Sequence, residues 1–185
     1  MKLKKLISGA LAAVMLAGAA VVTAPVTASA ASLPFEDVEA SAWYYGAVDS
    51  AYAEGIMKGK TDTSFDPTAN ITRAEVVTAF ARIACVNIEG YGEKLTFTDT
   101  VKDSWYSDSV GWAVENGIVK GRGDGRFSPS DLITRQEIAS IIMNFLSYME
   151  INAKDNAKID SFADKDSFAS WAAPVIESVR KTDHP

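Results

Sequence analysis

Residues 35–76 read FEDVEASAWYYGAVDSAYAEGIMKGKTDTSFDPTANITRAEV, and the same pattern returns without gaps at residues 97–138. Of the 42 aligned positions, 17 are identical. A third copy begins at Phe162 and includes Trp171, but it stops near Arg180, before the glycine, Phe-x-Pro and Thr-Arg-x-Glu portions. The chain is therefore a repeat protein, and its copies must pack on each other because one copy alone has too little apolar surface to fold.

Each copy predicts a first helix followed by a long loop. Small or apolar residues lie three and four positions apart, and the helix should end at Gly55 and Gly117, since glycine readily takes the positive φ of a helix C-terminus. The loop is rich in Gly, Asp, Thr and Ser, a composition that favours turns. We expect Phe65 and Phe127 of the Phe-x-Pro motifs to hold this loop on the domain.

The second helix of each copy opens with a capping box, Thr72 to Glu75 and Thr134 to Glu137. In this motif the threonine hydroxyl accepts a hydrogen bond from the N3 amide, while the glutamate carboxylate accepts one from the cap amide. We assign these four side chains to helix capping.

Apolar residues with a period of 3.6 follow each capping box. The predicted core positions are Val76, Phe80, Ile83, Ala84, Ile138, Ile142, Phe145 and Leu146. The polar stretches 87–96 and 150–160 lack this period and are interpreted as linkers. The sequence thus predicts a mainly all-α fold of tandem helix-loop-helix repeats, with the capped helices in a central bundle.

Arg73 and Arg135 occupy the first helical position, where the helix dipole disfavours a cation. A guanidinium beside free helix N-terminal amides would make a receptor for a carboxylate or a phosphate. The alternative is that each arginine pairs with an acidic side chain of a neighbouring copy, for instance near Asp37, Asp99 or Asp164. The local pattern leaves both interpretations open.

Two more positions keep their chemical character between copies. Trp43, Trp105 and Trp171 recur, and a tryptophan there could either close the core or present a flat face to a sugar ring. Lys60 and Arg122 keep a positive charge at one loop position, either as solvated residues or as part of a binding site.

The N-terminus reads as a secretory signal over residues 1–30, with three lysines, an apolar stretch and a small-x-small cleavage site at residues 28–30. Its removal would leave 15 basic and 24 acidic residues, a formal net charge of −9. Such a surface argues against nucleic acid and against anionic lipid as partners. We expect a secreted chain without membrane attachment after cleavage. Cys85 is the only cysteine, so no intramolecular disulfide can form.

The sequence predicts no enzyme activity, no cofactor and no metal site. The only histidine is His184, near the end of the chain, and no carboxylate pair recurs in a recognisable catalytic setting. Residues 123–125 lack the alternating Asp or Asn ligands and the terminal glutamate of a calcium loop.

Taken together, Phe-x-Asp, a following Trp, Gly-Ile-x-x-Gly, Phe-x-Pro and Ile-Thr-Arg-x-Glu resemble the S-layer homology (SLH) family over nearly all of residues 35–180. The resemblance implies three tandem copies folded into a pseudo-threefold spindle around a central helix bundle, with grooves between neighbouring copies. The copies would be residues 35–86, 97–149 and a truncated third copy at 162–185. Because the third copy is incomplete, part of the capped helices would stay uncovered, which predicts self-association.

The resemblance also implies a function, non-covalent attachment to an anionic, peptidoglycan-linked cell-wall polysaccharide that in many bacteria bears pyruvate ketals. The chain would then act at the bacterial cell surface, in the cell wall or an S-layer. The implied polysaccharide-binding residues are Arg73, Arg135, Lys60, Arg122, Trp43, Trp105, Asp37 and Asp99. The alternatives are the N-terminal part of an S-layer lattice protein, or the targeting portion of a cell-surface polysaccharide hydrolase or peptidase.

Overall fold

The computed structural model describes residues 33–151 and 162–180. The predicted signal at residues 1–30 and most of the second predicted linker lie outside the described residues. The described part forms five α-helices, which are α1 (Tyr45–Ala53), α2 (Arg73–Ala84), α3 (Ser107–Glu115), α4 (Arg135–Tyr148) and α5 (Ala173–Arg180). Apart from one isolated bridge between Thr72 and Leu132, no strand pairing occurs there. The prediction of a mainly all-α fold is confirmed.

The first helices of the two full copies, α1 and α3, end where the glycines predicted. Gly55 and Gly117 have φ values of +70° and +69°, so each turns the chain away from its helix. The two helices differ in burial, since Val48 is the only buried residue of α1, whereas α3 buries most of its length, including Trp112.

Two packing partners of α3 account for this difference, helix α2 and the stretch interpreted as the first linker. Residues Tyr91–Lys94 form a 3-10 turn that packs against α3, and the N–H of Gly92 donates to Asp108 Oδ1 at 2.8 Å. Gly111 of α3 lies so close to the carbonyl group of Tyr91 that a Cβ would overlap it. Residues 87–96, interpreted as a linker between copies, therefore also pack on the domain, because a polar stretch without helical period can still make close backbone contacts.

The capped helices meet in the main core. The rings of Phe80 in α2 and Phe145 in α4 lie 4.8 Å apart, and Phe127 is fully buried in the same cluster. Ile83 is exposed, however, and Ile138 is only half-buried, so the apolar faces of α2 and α4 are not completely covered.

The described part of the third copy lies on α4. Helix α5 packs against α4, and the N–H of Ala169 donates to Gln136 Oε1 at 3.3 Å. Ala172 is fully buried at this contact. Residues 33–151 and 162–180 contain two capped helices, so the threefold spindle stays a prediction.

Candidate functional site

The aspartates of the two Phe-x-Asp motifs hold the loops that surround the site. Asp37 accepts hydrogen bonds from the N–H groups of Phe65 (2.8 Å) and Asp66 (2.7 Å), and Asp99 accepts the equivalent pair in the second copy (2.8 and 2.7 Å). The hydrogen bond from Phe65 is the main reason why the pKa of Asp37 lies below its usual value. Both carboxylates thus shape the Phe-x-Pro loop, and their predicted contact with polysaccharide stays a prediction.

The Lys-Gly dipeptides place the backbone of the same loop. Gly59 has a φ of +82°, and a Cβ on it would lie 2.5 Å from the Phe35 ring. Gly121 is equally close to Phe97. The loop therefore passes over a phenylalanine with no room for a side chain at the glycine. In the second copy, the carbonyl of the preceding Lys120 accepts from Arg73 of α2.

Both capping boxes are present, and their glutamates have a second role. Oε2 of Glu75 and of Glu137 accepts from the cap N–H of Thr72 (2.8 Å) and of Thr134 (2.9 Å). The other oxygen, Oε1, is left to accept from cations. In the first copy Oε1 of Glu75 binds Lys60.

Arg73 is buried in the joint between the two copies, with only 4% of its surface exposed. Its Nε donates to the carbonyl of Phe127 (3.0 Å), Nη1 donates to Glu137 Oε1 (3.1 Å) and Nη2 donates to the carbonyl of Lys120 (3.0 Å). The guanidinium carbon also lies 4.9 Å from the Phe127 ring centroid. Three acceptors and one ring thus surround this guanidinium. We call this contact the arginine joint.

The first amides of α2 belong to the same joint. The N–H groups of Arg73 and Ala74 donate to the carbonyls of Asp131 and Pro129, each at 3.0 Å. The anion receptor predicted at Arg73 is therefore already filled by carbonyls and a carboxylate of the second copy. Of the two interpretations left open by the sequence, the geometry matches pairing with an acidic side chain of a neighbouring copy, and the partner is Glu137, not one of the three aspartates.

Hydrogen bonds and ion pairs together lower the pKa values of the two capping-box glutamates. Burial raises the pKa of Glu137, but the hydrogen bonds from Thr134 and the charges of Arg122 and Arg73 outweigh burial, so the pKa lies below its usual value. Burial alone would raise the pKa of Glu75 as well, and there the hydrogen bonds from Lys60 and Thr72 lower it. Both carboxylates are anionic at neutral pH.

The Arg122 side chain is bound within the arginine joint, whereas the Arg135 side chain is exposed to solvent. Arg122 binds Glu137 through Nη1 and lies 3.7 Å from Asp131 through Nη2. Arg135 is exposed, and its side chain makes no hydrogen bond or ion pair with the described residues. Trp43 is 94% exposed and contacts Tyr44 edge-on.

A cavity of about 530 Å³ lies in the first copy at the position that Arg73 fills in the second. Lys58, Phe65 and Glu75 line it and are the counterparts of the three Arg73 partners. Trp105, from the second copy, forms part of its wall and is 63% exposed. The cavity thus brings Lys60 and Trp105 together out of the eight predicted binding residues.

Sequence reasoning missed two cations of this cavity, Lys58 and Arg82. Lys58 recurs as Lys120 in the Lys-Gly dipeptide, and that recurrence was a usable signal. Arg82 donates to the carbonyl of Ile56 (2.9 Å), and its counterpart Asn144 donates to the equivalent carbonyl in the second copy (3.1 Å). The change from arginine to asparagine hid this shared role.

Two properties of the described residues bear on the class of site. Among the residues that the structure describes, no group of three or more His, Cys, Asp or Glu side chains could hold a metal ion. The helices of that part are all too short or too polar to cross a bilayer.

Comparison with known proteins agrees with the repeat pattern. Residues 34–77 and 96–139 match the family model described as S-layer homology domain. The S-layer protein sap of Bacillus anthracis is 33% identical over 76% of this chain, which covers 16% of that protein. The surface-layer 125 kDa protein of Lysinibacillus sphaericus is 30% identical over 71% of this chain, covering 10% of its own length. Exoglucanase XynX of Acetivibrio thermocellus is 29% identical over 81% of this chain and 13% of its own.

Proposed function

Because this chain belongs to the S-layer homology domain family through residues 34–77 and 96–139, we propose that it attaches a surface protein to the cell wall by binding an anionic secondary polysaccharide in the cavity beside Trp105. Domains of this family are non-catalytic modules that anchor S-layer proteins and surface enzymes to the wall. The place of the chain is the bacterial cell surface, as for its S-layer relatives. The chain spans only 10 to 16% of the S-layer relatives named above, so the attached cargo is part of the proposal.

The observation that carries the proposal is the local charge of the cavity. Lys58, Lys60 and Arg82 line it against two carboxylates, Asp66 and Glu75, although the whole chain has a formal net charge of −6. Salt screens the long-range repulsion of an anionic polymer beyond roughly 8–10 Å, so a few cations in a concave site can decide binding. An acidic substituent such as a ketal carboxylate would lie against the lysines.

A sugar site also needs an apolar surface on which a sugar ring can stack, and Trp105 supplies it. Its indole stands at the cavity wall with most of its surface exposed, so a sugar ring can stack on its face. An apolar platform next to cations suits an acidic sugar better than either a neutral apolar ligand or a simple anion.

The experiment is co-sedimentation with purified cell walls. Trp105→Ala and Lys60→Gln should each weaken binding by roughly tenfold, which corresponds to about 1.4 kcal/mol. Lys102→Gln serves as the matched control, because this lysine is exposed and lies outside the cavity. Unchanged binding of both cavity variants, or an equal loss with Lys102→Gln, would overturn the assignment.

Treated walls separate the polymer from its substituent. Walls from which secondary polysaccharides have been extracted should no longer retain the chain. Walls treated with mild acid to remove ketals should retain it less, if a ketal carboxylate contacts the lysines. Full retention by extracted walls would instead point to the peptidoglycan itself.

Two kinds of attached protein are each supported by different relatives. S-layer relatives favour a lattice protein, and the exoglucanase relative favours a secreted polysaccharide hydrolase. We favour no catalytic role for the residues of the repeats themselves.

A further inference from the structure

The arginine joint consists of a donor half and an acceptor half. The donor half is the Arg73 side chain together with the first amides of α2. The acceptor half belongs to the second copy and consists of the Glu137 carboxylate with four carbonyls, those of Lys120, Phe127, Pro129 and Asp131. The two halves make five hydrogen bonds of 3.0 to 3.1 Å.

The first copy carries the same acceptor half without a donor. The counterpart carbonyls belong to Lys58, Phe65, Pro67 and Ala69, and all four residues line the cavity. None of these carbonyls accepts a hydrogen bond within residues 33–151 and 162–180. Oε1 of Glu75 binds Lys60 alone, where Oε1 of Glu137 binds two arginines. The acceptor positions that hold Arg73 in one copy are therefore open in the other.

The second copy carries the matching donor half without an acceptor. Arg135 is exposed at the start of α4, and no described residue accepts from its guanidinium. The N–H groups of Arg135 and Gln136 likewise have no backbone partner in the described part of the chain, whereas those of Arg73 and Ala74 do. Helix α5 packs on α4 and leaves Arg135 exposed.

We propose that the cavity of the first copy is a socket for Arg135 of a second molecule of this chain, so that molecules associate head to tail. The interface repeats the arginine joint, with Arg135 bonded to the Lys58 and Phe65 carbonyls and to Glu75. Because the two surfaces differ, the contact is heterologous, and each added molecule presents a new free half at either end. Association therefore produces a series of oligomers that does not stop at the dimer.

The joint between molecules is weaker than the joint within one. Asp131 lies 3.7 Å from Arg122 in the second copy and adds negative charge beside Arg73, but its counterpart in the first copy is Ala69. The socket lacks a carboxylate at this position, although Asp66 lines it beside Glu75. Because association of two molecules also costs translational and rotational freedom, dissociation on dilution is expected.

The contact also shares its cavity with the proposed polysaccharide. A second molecule and the polymer cannot occupy the socket together, so wall fragments should dissociate the oligomers. The oligomers can nevertheless be measured without any polymer, which makes the failure of one proposal distinguishable from the failure of the other.

The test is sedimentation velocity of the purified chain over a wide concentration range. The wild-type chain should show a sedimentation coefficient that rises with concentration. Arg135→Ala, which removes the donor, and Ala69→Lys, which places a cation in the socket at an exposed position, should each lose this rise. Lys102→Gln should retain it.

Mixing the two variants decides the geometry. Arg135→Ala keeps its socket and Ala69→Lys keeps its arginine, so together they should form a one-to-one dimer that grows no further. A wild-type chain that is monomeric at every concentration overturns the proposal. So does an Arg135→Ala chain that associates like the wild type, or a mixture that stays monomeric.

Circular dichroism of each variant keeps the result interpretable. Both substitutions are at exposed positions and remove no partner from the described residues, so the helical spectrum should be unchanged. If Ala69→Lys fails to fold, Glu75→Gln replaces it as the socket variant, because it removes the carboxylate and retains the side-chain shape.

Discussion

Arg73→Ala is the substitution that best separates the structural arginine from its open counterpart. The side chain is buried and donates to one carboxylate and two carbonyls, and its removal leaves Glu137 with Arg122 as its remaining charged partner. Removing one member of a buried ion pair costs about 3–5 kcal/mol when the other charge stays buried without compensation, and Arg122 here compensates part of the Glu137 charge. The carbonyls of Phe127 and Lys120 lose their donors as well, so the expected cost is about 3 kcal/mol, the lower end of that range.

The same substitution at the equivalent position is the matched control. Arg135 is exposed and has no described partner, so Arg135→Ala should change the free energy of unfolding by no more than about 0.5 kcal/mol. Urea unfolding followed by far-UV circular dichroism measures both values, at a concentration low enough for the chain to be monomeric. The slope of the transition should be the same for both variants.

A double substitution tests whether Glu137 is the partner of Arg73. Once Arg73 is gone, replacing Glu137 by glutamine should cost much less than in the wild type, because the two residues form one pair. If Arg73→Ala costs under about 1 kcal/mol, or as much as Arg135→Ala, the joint does not hold the copies together as described.

Three other predictions concern stability. Since the pKa of Glu137 is lowered in the fold, its contribution is complete above the unfolded value of about 4.3 and is lost as the pH falls through the folded value, so Glu137→Gln should flatten the acid dependence of the urea midpoint below that pH. Gly111→Ala should lower the melting temperature because its Cβ would overlap the Tyr91 carbonyl. Gly46→Ala, at an open position of α1, should raise the free energy of unfolding by about 0.5–1 kcal/mol, because alanine favours the helix over glycine. Asp99→Asn should lower stability by about 1–3 kcal/mol in urea unfolding, because the amide accepts less strongly from the Phe-x-Pro loop.

The features that the sequence predicts well are set by contacts close along the chain. Thr72 and Glu75 are three residues apart, and a helix N-terminus needs their hydrogen bonds whatever the rest of the fold does. Gly55 takes a positive φ for a reason equally local to its helix. Duplication strengthened both predictions, because a folding requirement recurs with the repeat.

The interpretation of Arg73 could not be decided in this way. Its partners Phe127 and Glu137 lie 54 and 64 residues further along the chain, so their position depends on how one copy docks on the next. The packing of Tyr91 on Gly111 was missed for a similar reason, because it is a contact of backbone atoms that leaves no apolar period. Neither contact has a pattern within one copy that could have revealed it.

The arginine joint has a mechanical consequence for an anchor. The cavity is formed by the loop of the first copy and by Trp105 of the second, so a polymer held there stays enclosed only while the two copies remain together. In the proposed anchor, a cargo attached on the side of the second copy would load the bonds of Arg73 before the load reached the loop of the first copy. Under such a load, attachment lasts as long as these directional bonds resist rupture, and this lifetime is governed by a rate of forced opening. An equilibrium affinity measured at rest does not report it.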